Sequence, residues 1–228
     1  MIFETPDMTT SLFHAALAII GIAAIIAIAE GLRRYFGAQP EFARKIAHIG
    51  GGHIILIAWW FEIPVWLAIT TTALVTIGVI LSLTRLKILV SGDGTKRTNL
   101  GFFYYALSHV ILISVLWPLE GEVFAVLGIL IMAWGDGLAG FVGYYLGRHR
   151  YNIRGATKSF EGSATMFLVS TALSVIVLAP FYGLATVILP AVAIGTIATL
   201  FEAISRNGED NLTVSLATAF VAYLLLGI

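Results

Sequence analysis

Apolar residues along the chain fall into eight runs, at about 11–31, 46–61, 64–83, 102–118, 122–147, 163–180, 184–204 and 213–228. A membrane helix needs roughly 17–25 mainly apolar residues. Six runs meet that length, whereas the second and last are short and are expected to be tilted or partly interfacial, so seven spans are possible as well as eight. Pro40, Pro64, Pro118 and Pro180 stand at the borders of runs, where a missing N–H costs little, while Pro190 lies inside the seventh and predicts a kink. The pattern predicts an all-α polytopic membrane protein of about eight transmembrane helices. No linker, low-complexity tract or internal repeat divides it, so residues 1–228 read as a single integral-membrane domain. Any chemistry must then be assembled from helix ends and loops.

The polar intervals alternate in length. Those at 32–45, 84–101, 148–162 and 205–212 are long and charged; those around Glu62, at 119–121 and at 181–183 are short. All 13 Lys and Arg residues stand in the long set or directly beside it. Basic residues accumulate on the cytoplasmic side of a membrane, so the long loops are expected there, with both termini outside. Composition agrees with a bilayer setting: 59% of the 228 residues are hydrophobic and 11% charged, where a soluble domain has about 25% charged. Mean hydropathy is +0.95. Basic and acidic residues balance at 13 each, without the basic excess that nucleic-acid binding calls for. The absence of cysteine excludes disulfides, zinc–thiolate sites and a cysteine nucleophile. The opening "MIFETPDMTT" is acidic where a secretory signal is basic, so the first run reads as a retained helix.

Four polar clusters lie on the long-loop face. In "RKIAHIGGGH", Arg44 and His48 share a helical face at i and i+4, with Lys45 three residues before His48. The glycines at 50–52 are costly in a helix unless backbone must come close to something. In "GDGLAGFVGYYLGRHR", Asp136, Gly140, Gly143 and Gly147 form one helical stripe. Small residues explain close helix packing, but not an acid, which in a bilayer core costs at least about 2.5–3.5 kcal/mol and therefore faces a polar cavity. In "RHRYNIRGATKSFEGS", Arg148, Arg150, Arg154 and Lys158 are cations suited to phosphate, and Ser159, Glu161 and Gly162 lead into the sixth run. The spacing is not that of a Walker A loop. In "EAISRNGEDNLTV", Glu202 and Asp210 bracket a turn containing Asn207 and Gly208, with Asn211 at the start of the last run. A fifth polar stretch, 84–101, offers Lys96, Arg97 and Asn99, of which Arg97 and Asn99 are expected to contribute. His14, His53 and His109 read as structural. Cations and carboxylates on one face equip the chain for a polyphosphate with Mg²⁺, which favours one or two carboxylates plus substrate phosphates.

"RKIAH", "GDGLAGFVGYYLG", "KSFEGS" and "EAISRNGEDNLTV" resemble, in order and spacing, the CTP-dependent lipid-alcohol kinases, a family that includes dolichol, phytol and farnesol kinases and a CTP-dependent diacylglycerol kinase. The resemblance runs from Arg44 to about Val214, and the chain is short, as bacterial and plastid-like members are. It implies transfer of the γ-phosphoryl group of CTP to a membrane lipid alcohol of polyprenol, phytol, farnesol or diacylglycerol type, giving a lipid phosphate and CDP, in a prokaryotic inner membrane. Residue by residue, Arg44 and Lys45 match the family's Arg-Lys; Asp136 its Gly-Asp; Gly140, Gly143 and Gly147 its glycine stripe; Lys158, Ser159, Glu161 and Gly162 its Lys-Ser-x-Glu-Gly; and Asp210 and Asn211 its Asp-Asn. On that pattern Asp136, with Glu161 or Asp210, holds Mg²⁺; Lys158, Arg148 and Arg154 neutralise phosphate; Arg44 and Lys45 close the site; and His48 or Asp136 serves as base. Two other readings compete. A phosphatidate cytidylyltransferase also uses CTP and Mg²⁺, but the chain lacks its C-terminal His-Gly-Gly-x-x-Asp-Arg signature. A small transporter would spread polar groups along a path through the bilayer rather than gather them on one face.

Overall fold

The structure, a computed structural model, describes residues 7–81 and 96–227. Helix α1 spans Met8–Phe36, α2 Pro40–Gly52, α3 Ile54–Trp60, α4 Val65–Leu81 and α5 Lys96–Leu116. A central helix follows in three parts: α6 (Glu122–Leu130), a π-helical segment (Ile131–Asp136) and α7 (Gly137–Tyr145). A hairpin of β1 (Arg150–Ile153) and β2 (Ala156–Ser159) precedes α8 (Phe160–Tyr182), α9 (Leu184–Ile204) and α10 (Asp210–Leu226). Among the described residues, five helices are long and apolar enough to cross a membrane: Met8–Phe36, Leu100–Leu119, Glu122–Tyr145, Phe160–Tyr182 and Leu184–Ile204; Val65–Gly78 and Asp210–Leu226 are shorter apolar helices. Exposed aromatics cluster at helix ends. Tyr35, Phe36, Tyr144, Tyr145 and Phe160 border the long loops, and Trp60, Phe61, Trp66 and Phe181 border the short ones. These are the two belts expected at membrane–water interfaces.

The central helix is the axis of the bundle: 83% of its apolar window is buried inside the protein, against 17% for α1 and 22% for α8. Every residue from Val123 to Leu130 is buried. Gly128 lets α10 lie close, since a Cβ there would fall 2.8 Å from the Ala219 Cβ. Asp136 therefore lies inside the protein rather than against lipid.

Three expectations change. The second run is not one helix: α2 begins early, with Pro40 at its first turn, and the chain breaks at His53 before α3. The break follows from the glycines. A Cβ at Gly50 would come 2.6 Å from Ile25 of α1, one at Gly51 3.1 Å from the Tyr105 hydroxyl of α5, and one at Gly52 would collide with Ala133 of the central helix. Backbone approaches three neighbours within one turn. The sixth helix does not stop at Pro180 but at Gly183, whose φ of 81° ends it, because a proline in the last turn removes only its own N–H bond. The 148–162 interval, expected as an irregular loop, contains the β hairpin, turned by Arg154 (φ 52°) and Gly155 (φ 78°). Consecutive positive φ values are what a two-residue hairpin turn demands.

Candidate active site

Where α2 crosses the central helix, Lys45 and His48 meet Asp136. Lys45 Nζ donates to Asp136 Oδ2 at 3.0 Å and to the Asp136 carbonyl at 3.0 Å. His48 Nε2 donates to the Met132 carbonyl at 3.1 Å and stands 3.4 Å from Asp136 Oδ2. All three side chains are buried, at 7–8% exposure. Both accepting carbonyls belong to the π-helical segment, where the widened turn interrupts the regular ladder. A carbonyl only accepts, so the His48 nitrogen facing it carries a proton; a base at His48 would have to be Nδ1. The Tyr105 hydroxyl donates to the His48 carbonyl at 3.0 Å and holds α2 from the α5 side.

Gly140, one turn along α7, makes room for this pair: a Cβ there would lie 2.6 Å from Lys45 Nζ. Gly143 and Gly147 face Ser159, and Gly162 approaches the Ala139 carbonyl, so this part of the stripe seats the start of α8 against α7. Ser159 caps α8, its Oγ accepting from the Gly162 N–H at 3.1 Å.

The hairpin carries a second charged group into the same cavity. Lys158 is ion-paired with Glu202 of α9 and lies 3.8 Å from Asp210 Oδ2 of α10. Burial draws the Lys158 ammonium pKa down, but Glu202, Asp210 and Asp136 outweigh it and hold it above the ordinary 10.5. Glu202 is 5% exposed, and its Oε2 has no hydrogen-bond partner among the described residues. Asn211 donates to the Gly101 carbonyl at 2.8 Å and ties α10 to α5. Arg44, paired with Glu41 at 2.5 Å, and Arg154, bonded to the Ile204 carbonyl at 3.2 Å and Glu209 at 3.4 Å, stand at the rim.

One cavity of about 1250 Å³ joins these groups. Arg44, Lys45, His48, Asp136, Gly140, Gly143, Arg154, Lys158, Ser159, Gly162, Asp210 and Asn211 all line it. Three expected residues do not. Gly147 packs beneath the hairpin. Glu161 turns back to accept from the His149 backbone at 3.2 Å and from the His149 ring at 2.7 Å, outside the cavity. Arg148 is exposed, and Arg150 lines the cavity in its place, because the hairpin register sets Arg150 opposite Ser159. Lys96, Arg97 and Asn99 have side chains outside the described residues. Glu202 and Tyr105 were not singled out as site residues. An acid in the last turn of a helix opposes the macrodipole, which was a usable signal for Glu202; a tyrosine in an apolar run gave none.

The cavity has two ends. Cations and carboxylates from α2, the central helix, the hairpin, α9 and α10 form one. The other lies between Ile22, Ile25 and Ile26 of α1, Thr72 and Val75 of α4, and Ala106 of α5.

No family model matches the chain, and no solved structure matches it. Curated relatives do. The phytol kinase of Synechocystis sp. is 41% identical over 218 residues, covering 92% of each chain. Phytol kinase 1, chloroplastic, of Arabidopsis thaliana is 28% identical over 246 residues, covering 96% of this chain and 79% of that one. A probable phytol kinase, chloroplastic, of Triticum aestivum is 28% identical over 214 residues, covering 83% and 69%. With identity at that level across nearly the whole of both chains, the chain belongs to the phytol kinase family.

Proposed function

We propose that the protein transfers the γ-phosphoryl group of CTP to the hydroxyl of a phytol-type lipid alcohol, within a prokaryotic inner membrane and from its cytoplasmic face. The carrying observation is the two-ended cavity: charged groups suited to a triphosphate open directly into an apolar limb inside the helical bundle. The relatives' names supply the alcohol; the resemblance of "KSFEGS" and "EAISRNGEDNLTV" to CTP-dependent lipid kinases supplies the donor. The concentration of basic residues in the long loops supports the cytoplasmic orientation, with both termini outside.

In this reaction the alcohol oxygen bonds to the γ-phosphorus, the bond from that phosphorus to the β–γ bridging oxygen breaks, CDP leaves, and the hydroxyl proton passes to Asp136. Asp136 suits that role by position. It sits at the junction of the two ends, fixed by Lys45 and backed by His48. Lys158, Arg44, Arg150 and Arg154 neutralise phosphate charge, since phosphoryl transfer is mostly positioning and electrostatics. Mg²⁺ fits the remaining donors. They are carboxylate oxygens, and among the described residues the Glu202 Oε2 is buried without a partner. Among the described residues no three His, Cys, Asp or Glu side chains converge to hold an ion alone, which suits a cation delivered on its phosphates. Asp210 and Glu202 would hold it, and it would neutralise charge on the transferring group.

The test uses purified protein in mixed micelles with phytol and each of CTP, ATP, GTP and UTP, labelled at the γ-phosphate. The expected result is labelled phytyl phosphate and CDP with CTP as preferred donor. Release of pyrophosphate, or preference for another nucleotide, would overturn the reading of the donor.

A further inference from the structure

The apolar limb ends at a partition. On three helices its lining residues run in one direction: Ile26 to Ile22 on α1, Thr76 to Thr71 on α4, and Phe102 to His109 on α5. Beyond lies a small separate cavity of about 40 Å³, whose walls continue the same order with Ala18 and Ala15, Ala68, and Ile113. The two cavities share Ile54, Thr71, Thr72 and His109. His109 is 7% exposed, and its Nδ1 donates to the Tyr105 carbonyl at 2.9 Å, which fixes the ring across the passage. Tyr105 in turn holds His48, so the partition is tied through one helical turn to the charged end. Along α5 the open limb covers about 10 Å from Phe102 to His109, and the chamber beyond adds about 6 Å to Ile113, at about 1.5 Å per residue. Ala15, Ala18, Ala58 and Ala68 share the chamber wall with four isoleucines, Ile113 among them.

We propose that His109 is the chain-length gauge of the enzyme, a specificity-determining residue against which the far end of the alcohol's isoprenoid tail abuts. This rests on the lipid-alcohol reading of the same cavity. Removing the ring merges the limb with the chamber beyond it and admits a longer tail. The ring touches neither the hydroxyl nor the phosphates, so its effect falls on selection among alcohols.

The experiment measures kcat/KM of wild type, His109→Ala and His109→Ala/Ala18→Leu with farnesol, geranylgeraniol, phytol and a longer polyprenol. His109→Ala is expected to raise the ratio of longer to shorter alcohol by about tenfold or more, the discrimination a hydrophobic pocket exerts on an ill-fitting methylene. The Leu at position 18 refills the chamber and returns the ratio to that of wild type. An active His109→Ala enzyme with the wild-type ranking overturns the proposal. Should that variant not fold, Thr72→Phe narrows the same passage and is expected to shift preference to shorter alcohols; an unchanged ranking there is equally fatal. Thermal stabilisation by each alcohol reads the same ranking without turnover. A wild type that binds these alcohols by length but phosphorylates none overturns the kinase reading and leaves the gauge standing.

Discussion

Lys158→Met removes the only cation that the structure places in an ion pair with Glu202 among the described residues. The side chains of the pair are 18% and 7% exposed, so the Glu202 carboxylate is left buried and unpaired, with Oε2 already unpartnered among the described residues. Removing one member of a buried pair costs about 3–5 kcal/mol, because the remaining charge is stranded rather than because the pair itself is strong. For a chain of this size each kcal/mol moves Tm by about 2–4 °C, so the variant is expected to melt about 6–20 °C below wild type. Adding Glu202→Leu removes the stranded charge and is expected to recover most of that loss, with no recovery of activity. The assay is intrinsic tryptophan fluorescence in detergent during heating, at fixed lipid and salt. The pH dependence follows from the sign of the shift. The Lys158 pKa is raised, so its stabilisation is complete below the ordinary 10.5 and is lost only as pH rises through the higher folded value. The wild type should therefore keep the Lys158 contribution to its Tm through neutral pH and lose it only in alkali. Equal Tm for wild type and Lys158→Met, or a double variant no more stable than the single one, would refute this reasoning.

Asp136→Asn cannot take the hydroxyl proton, and kcat is expected to fall about 10²–10⁴-fold; it also strands the buried Lys45 ammonium, so Tm is expected to drop by an amount like that of Lys158→Met, and turnover is measured well below the lowered Tm. Gly140→Ala puts a Cβ 2.6 Å from Lys45 Nζ; a flexible ammonium can yield, so stability should change little while the hold on Asp136 and kcat decline, measured by turnover beside a melting curve. Arg150→Ala should raise the KM for nucleotide about tenfold or more, the loss of a charged hydrogen bond of about 1.5–3 kcal/mol, whereas Arg148→Ala and Glu161→Gln, both outside the cavity, should leave it unchanged. Asp210→Asn should raise the Mg²⁺ concentration needed for half-maximal activity, read in a metal titration at saturating nucleotide.

The bilayer solvent made the fold legible. Apolar runs long enough to cross stand out by length alone, and the eight runs recur as helices, with the second broken at His53. The break was not legible because the three glycines signalled close approach without saying to what; the answer involves α1, α5 and the central helix at once. The hairpin was missed because its strands, Arg150–Ile153 and Ala156–Ser159, are four residues long and mostly polar, too short to show a period of two, and read as a basic loop. At the candidate site, the structure brings into one cavity Lys45, Asp136, Lys158 and Asp210, which stand out in the sequence because charge in an apolar chain needs a partner. It did not separate Arg148 from Arg150 or place Glu161, since those depend on strand register, which flips side chains between faces with each residue. Nor did it distinguish a glycine that lines a cavity, Gly140, from one that seats a helix, Gly147.

The π-helical segment at Ile131–Asp136 has a consequence for how the central helix is addressed. One residue of an α-helix corresponds to about 100° of rotation, so an inserted residue turns everything after it relative to everything before. Gly128, before the segment, faces α10, while Gly140, after it, faces Lys45 of α2. Deleting a single residue between Ile131 and Gly135 would leave the hydropathy of the span almost untouched and still permit insertion. It would swing the reactive carboxylate and its glycines out of phase with the half of the helix that anchors them. The chain's activity is thus vulnerable to a change of rotational phase that no measure of apolar content would register.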